Sequence, residues 1–287
     1  MQTIPDIELL HEAADATWLE SDNGHSATLN VCFSENYLIG SFFDRREQAF
    51  VMVKSFEAKT KNTSWLPDKE LIERCFPNKL YGKINIFVPG LKLLLVPEAL
   101  YREEVKTELF LMNHKLDDGE KVYNSALKRL QAKILYAYPE KKMRELERQF
   151  SGAGIFHVSC GYIESLQMQY REEEAPHFHI DITEKGIMVS AFMDGRLQFF
   201  NTFPAETPED KLYFITFVSE QLSFSPLRDN YYVSGIIDKL SDDYNLFKTY
   251  IKNLHLQPRP PFNKYSLPLL RLPEPFYYKA FSTALCE

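Results

Sequence analysis

Residues 29–53 read LNVCFSENYLIGSFFDRREQAFVMV and residues 178–200 read FHIDITEKGIMVSAFMDGRLQFF. Asp44, Gln48 and Phe50 of the first stretch fall opposite Asp194, Gln198 and Phe200 of the second, each at an offset of 150. Each stretch is rich in β-branched and aromatic residues between short polar breaks, Ser34-Glu35-Asn36 and Asp44-Arg45-Arg46 in the first copy, which predicts an antiparallel meander. Downstream, Phe87-Val88-Pro89-Gly90 falls opposite Tyr232-Val233-Ser234-Gly235 at an offset of 145. Meander, helix, then a strand ending in Val-x-Gly thus occurs twice, so two related α/β halves are expected.

Between the copies, Pro67 followed by Asp68-Lys69-Glu70 opens a helix that Pro77 closes. A strand is expected at 83–88, a buried strand at 91–97, a short helix from Pro97, and strands near 121–127 and 131–138. PEKKMRELERQF at 139–150 places Met143, Leu146 and Phe150 on one helix face. A strand at 155–159 and a helix at 160–171 lead to the acidic linker Arg171–Pro176, where the domain boundary is drawn: 1–174 and 175–287. In the second half Thr207-Pro208-Glu209-Asp210 caps a helix over 208–222, and strand 230–237 and helix 241–254 follow. The tail carries Pro258, Pro260, Pro261, Pro268, Pro273 and Pro275 and is expected to be an extended cover over the domain.

With 287 residues, 45% hydrophobic and 14% aromatic, the chain has material for two cores. A net charge of −7 gives no footprint for a polyanion, which argues against nucleic acid as a partner. Cys32, Cys75, Cys160 and Cys286 form no Cys-x-x-Cys pair, and the N-terminal MQTIPDIELL carries acids where a secretion signal needs bases. Reduced thiols, no membrane span and a cytoplasmic location are expected.

This order resembles the actin-like ATPase architecture, in which two ribonuclease-H-like halves with mixed five-stranded sheets and flanking helices enclose a nucleotide. AKILYAYPEKKMRELERQFSGAGIFHVSCGYIESLQM at 132–168 is similar to the end of the first half of pilus-assembly PilM and cell-division FtsA proteins. HIDITEKGIMVSAFMDGRLQF at 179–199 resembles the opening of their second half. The whole chain also looks like a bacterial family of this fold with no activity assigned to it. The resemblance implies ATP with Mg in the inter-domain cleft, and candidate cofactor-binding residues Asn30, Ser34, Asp181, Thr183, Ser234 and Gly235. From PilM it implies a protein partner or a homo-oligomer, and docking to a membrane-associated complex.

The residues at those positions depart from what phosphate binding needs. In the family both halves open on Asp-x-Gly, because bare backbone must approach the phosphates while the Asp orients the metal. Here the first copy reads Asn30-Val31-Cys32-Phe33-Ser34, with Asn30 in the Asp position. The second reads Asp181-Ile182-Thr183-Glu184-Lys185, which keeps the candidate catalytic Asp181, loses the glycine to Thr183, and sets the Glu184 charge against phosphate. Val233-Ser234-Gly235-Ile236-Ile237 retains one glycine for adenosine packing. The expectation is a degenerate, non-catalytic actin-like protein serving as a binding or assembly module. The alternative is a weak ATP-binding ATPase or sugar-kinase-like enzyme.

Other constellations have plainer readings. His177, His179 and Asp181 alternate on one strand face, making His179 and Asp181 candidate metal ligands, yet no supporting partner is visible in sequence. Asp181, Asp194 and Asp238 could be grouped as a nuclease-type carboxylate cluster, but Asp194-Gly195 reads as a hairpin turn and Asp44 as its counterpart. Ser234-Gly235 lacks the setting of a hydrolase elbow.

Overall fold

The structure, a computed structural model, describes residues 6–21, 26–59 and 65–286. The first five residues of the acidic N-terminal stretch lie outside them. The first half contains β1 (Ile7–Ala14), α1 (Ala16–Glu20), β2 (Ala27–Phe33), β3 (Tyr37–Asp44), β4 (Ala49–Ala58), α2 (Lys69–Cys75) and β5 (Lys83–Val88). It continues with β6 (Leu93–Pro97), α3 (Lys106–Leu111), β7 (Glu120–Leu127), β8 (Ala132–Pro139), α4 (Glu140–Gln149), β9 (Gly154–His157) and α5 (Ser159–Tyr170). The second contains β10 (His177–Thr183), β11 (Gly186–Met193), β12 (Arg196–Pro204), α6 (Pro208–Gln221), β13 (Asn230–Gly235), α7 (Asp242–Tyr250) and β14 (Leu254–Leu256). The tail adds β15 (Lys264–Tyr265) and α8 (Glu274–Ser282).

The five-strand path β4-β3-β2-β5-β9 of the first sheet has the order of the whole second sheet, β12-β11-β10-β13-β14. In both, the meander is antiparallel and the next two strands join parallel. This is the expected pair of ribonuclease-H-like halves. The register, however, corrects the sequence pairing. Phe33 faces Leu38 and Ile182 faces Ile187 across the first hairpins, so the equivalent positions lie 149 apart, not 150. Both meanders also break register at the same place, between Phe42 and Phe43 and between Ala191 and Phe192. A bulge inserts one residue and increases twist locally, so the two sheets bend alike. By this register Asp181 matches Cys32 rather than Asn30, and Asp44 matches Met193 rather than Asp194.

The two aspartates still serve turns, by different means. Asp194 and Gly195 both have positive φ, 51° and 67°, as a two-residue hairpin requires. Asp44 instead accepts from the backbone N–H groups of Arg46 and Glu47 at 2.8 and 3.2 Å and from Trp18 Nε1 at 2.8 Å. These bonds hold its carboxyl below the usual range against the cost of burial.

Three further differences from expectation concern edges. The first sheet has seven strands rather than five, because β1 pairs with β4 and β15 lies beside the start of β4. The β1 sequence IELLHEAA shows no clean alternation, and only Ala13 is buried. Strands β6, β8 and β7 form a separate three-stranded sheet between β5 and α4, with its own small core around Phe110 and Leu135. The predicted 241–254 helix stops at Tyr250 and is followed by the short strand β14.

The tail departs most. It neither stays extended nor remains with the second half alone. Leu269, Leu272, Tyr277 and Phe281 form a core with Phe43, Phe50 and Val53 of the first sheet. Pro273 and Pro275 do not prevent α8, since proline is tolerated where the first-turn N–H groups have no helical partner. Helix α8 wedges between α5, β3 and β13, and Gly161 of α5 permits this: a Cβ there would stand 2.6 Å from the Ser282 carbonyl oxygen.

Because the tail is core rather than cover, Phe281→Ala is expected to destabilise the protein by about 3–5 kcal/mol in urea unfolding, as for any fully buried phenylalanine. A change under about 1 kcal/mol would mean that the tail is not part of the folded core.

Candidate functional site

A cleft of about 1350 Å³ separates the two halves and is roofed by α8. Its walls come from the turn after β2, the turn after β10, the end of β8 with the first turn of α4, the segment leading into α6, and the end of β13. Ser34, Thr183 and Gly235 line it directly. Gly235 has φ of +88°, and a Cβ there would lie 2.0 Å from the Ile182 carbonyl oxygen, so its glycine is required by the backbone crossing itself.

Asp181 sits just beneath the cleft, with no exposed surface. Parallel pairing of β10 with β13 sets it beside Ser234, whose hydroxyl donates to Oδ1 at 2.9 Å. The other oxygen, Oδ2, accepts from Lys279 Nζ of α8 at 2.6 Å. Burial pushes the Asp181 carboxyl up, and Lys279 and Ser234 pull it back in part. Lys279 also acts on Cys32, the matching position of β2, where burial drives the thiol up to about 12. One ammonium thus serves both hairpin strands.

Above Asp181 the two hairpin turns are tied together. Glu184 accepts from the Ser34 hydroxyl, and more weakly from the Asn36 N–H at 3.4 Å. Lys185 pairs with Glu35. The Thr183 hydroxyl is turned back onto the Gly186 carbonyl at 3.0 Å. The polar groups that an actin-like phosphate site would offer to its ligand are therefore bonded to one another, and Mg-ATP does not fit these residues in the family's arrangement.

Two sequence candidates lie elsewhere. Asn30 is buried deeper on β2, where its side-chain oxygen accepts from Asn85 Nδ2 at 3.0 Å. His179 faces the same side of β10 as His177 and Asp181, but its Nδ1 is bonded to Gln257 Oε1 at 3.0 Å. Its ring centroid lies 4.7 Å from that of Tyr170 and stacks on Tyr232 at 5.2 Å. Among the described residues no group of three or more His, Cys, Asp or Glu is placed to hold a metal. Sequence reading missed Lys279, because nothing in the tail marks a lysine that reaches across to β10.

A family model described as protein of unknown function, DUF3822, matches residues 16–254. The chain belongs to this family. No curated protein matches it in sequence. Among solved structures it is similar to a Bacteroides thetaiotaomicron protein with an actin-like ATPase fold and unknown function. The two share 21% identity over 85% of this chain and 94% of that one, with a TM-score of 0.70. It is also similar to a chain of the PilM–PilN type IV pilus biogenesis complex, at 11% identity over 91% and 98% of the two chains and a TM-score of 0.59. The fold of this DUF3822 protein is therefore actin-like.

The Lys279–Asp181 pair has a measurable signature. Lys279→Met strands a buried carboxylate and is expected to cost about 3–5 kcal/mol, whereas Lys279→Met with Asp181→Asn costs clearly less. A double-mutant loss equal to the sum of the Lys279→Met and Asp181→Asn losses, measured by urea unfolding, would mean that the pair does not interact. A second signature lies in the buried histidines. Burial lowers His157 and His179 from 6.5 to about 3, so between those values only the unfolded chain takes up their protons. Stability is then fully present above pH 6.5 and lost as pH falls toward 3. From about pH 7.5 to about pH 5 the loss is expected to be about 2–4 kcal/mol. His179→Gln should remove about half of that slope whatever its effect at neutral pH; an unchanged slope would contradict the assignment.

Proposed function

We propose that this protein is a degenerate, non-catalytic actin-like protein that acts in the bacterial cytoplasm as a protein-binding or assembly module. Its halves, divided near residue 174, are read as products of internal duplication. The observation that carries this reading is Lys279 Nζ at 2.6 Å from Asp181, an internal cation on the carboxylate that resembles the metal-orienting Asp of actin-like ATPases. A covalently tethered ammonium competes at very high effective concentration with any divalent ion from solution. The Glu184–Ser34 contact adds to this by setting a carboxylate and its donor where phosphate oxygens and their donors would meet.

Support for a partner comes from two sides. PilM, which shares the fold, is found in complex with PilN. On α6, Tyr213 and Phe217 are 61% and 46% exposed and stacked at 6.2 Å, which is more aromatic surface than a solvated helix face needs. A protein partner or a second copy of the chain, including one docked at a membrane-associated complex, is the role assigned here. The competing reading, Mg-ATP bound in the cleft for an ATPase or kinase reaction, is favoured by the size of the cleft and by the retained Asp181 and Gly235.

Thermal-shift titration with Mg-ATP separates the two. A ligand at a hundredfold excess over its dissociation constant adds about 2.7 kcal/mol to folding stability. The expected result is no change in melting temperature at millimolar Mg-ATP. A clear rise that disappears in Asp181→Asn would overturn the non-catalytic reading.

A further inference from the structure

The cleft is too large to be a packing defect, and its phosphate-side groups are internally bonded, so its remaining lining indicates what else it can accept. Part of that lining is aromatic. Phe33 and Trp65 meet edge to face at 5.9 Å, and Tyr37 and Phe276 do so at 5.2 Å, all four facing the cleft. Trp65 is held in place by its Nε1 donating to the Glu35 carbonyl at 3.0 Å. Phe214 of α6 faces the same space from the second half.

The charges on these walls are mostly neutralised in pairs. Lys92 is bonded to Asp117 and Glu120, each at 2.7 Å, Lys279 to Asp181, and Lys185 to Glu35. Among the lining lysines, Lys142, in the first turn of α4, is the exception; Glu206 and Asp210 also face the cleft, with no ion pair to any described residue. Lys142 is only half-exposed, and has no ion pair or hydrogen bond with any described residue. The charges acting on it are the repelling Lys185 and the attracting Glu35, and Glu35 is already committed to Lys185. Burial and Lys185 accordingly lower the Lys142 ammonium's pKa. A half-buried cation without a counter-charge is costly, and the cost is recovered if a ligand supplies the anion.

We propose that the inter-domain cleft binds a small molecule with an apolar body and a single anionic group, the body against the aromatic pairs Phe33–Trp65 and Tyr37–Phe276 and the anion on Lys142. A carboxylate on an acyl or aromatic skeleton has this chemistry. A di- or triphosphate does not, because the groups that would take further negative charge are already paired. The site would couple a metabolite to the relative position of the two halves, since it draws on both walls and on α8. It does not depend on whether the protein has a macromolecular partner.

The probe is anilinonaphthalene sulfonate, an apolar ring system with one anionic group, titrated into the native full-length protein while its fluorescence is followed. Decanoate and decylamine are then used as competitors of matched chain length and opposite charge. The expected result is one saturable site from which decanoate, and not decylamine, displaces the probe. Lys142→Ala should weaken probe and decanoate about tenfold, the loss of one charge-assisted contact, and Lys142→Arg should restore most of the affinity. Lys142 is half-exposed and has no partner among the described residues, so the variants should melt no lower than the parent, which keeps a binding loss separate from a folding loss. The proposal is overturned if nothing binds, if decylamine displaces the probe as well as decanoate does, or if Lys142→Ala leaves both affinities unchanged.

Discussion

Much of this molecule depends on one buried ion pair, Lys279 of the last helix on Asp181 of the second sheet. Asp181 is wholly enclosed, and a carboxylate there is tolerable only because Ser234 and Lys279 satisfy both its oxygens. Lys279 can reach it only if α8 lies between the halves. That placement in turn needs the Gly161 close approach, the Ser41 hydroxyl bonded to the Ala280 carbonyl at 3.1 Å, and the Ser165–Tyr278 contact at 3.0 Å. The pair therefore joins α8 to a strand 98 residues before it in the chain. It also sets the chemistry of the cleft, because a cation that is part of the fold stands on the carboxylate.

The cleft keeps the outline of the actin-like architecture with different contents. Its hairpin turns, which in that architecture face a nucleotide, face each other through Glu184–Ser34 and Lys185–Glu35. Bonds of this kind between partly exposed groups are individually weak, but here two cross the same gap above a buried pair and restrain the two walls together. What remains open is the aromatic side of the cleft, with Lys142 at its edge.

The elements follow closely from local sequence. The meanders, the capped start of α6 and the amphipathic α4 lie within a few residues of their expected bounds, because period, caps and turn residues are local signals. The Thr207–Asp210 capping box and the Asp194-Gly195 turn were legible for the same reason. Errors came where a signal depended on distant contacts. Strand β1 has an irregular pattern because all but one of its residues are at least partly exposed, and α8 was hidden by prolines that happen to occupy a helix start. The offset of 150 matched like residues across a bulged hairpin, and only backbone pairing revealed the true register of 149. That one-residue difference, with the separate placement of Asn30, changed which residue stands opposite Asp181.

By itself the sequence determined the two-half α/β architecture, the position of the cleft between the Ser34 and Thr183 hairpins, and the absence of the phosphate-binding glycines. The first is a property of periodicity and turn chemistry, which each segment carries alone; the other two are what the resemblance of these hairpins to those of actin-like ATPases implied. Tertiary structure decided what fills the place of the missing groups, Lys279 on Asp181 and Glu184 on Ser34, and left Lys142 on the cleft wall without a partner among the described residues. The physical reason is that charge compensation in a buried site depends on distances of a few ångströms, and residues 181 and 279 acquire theirs only when the tail folds back across both halves.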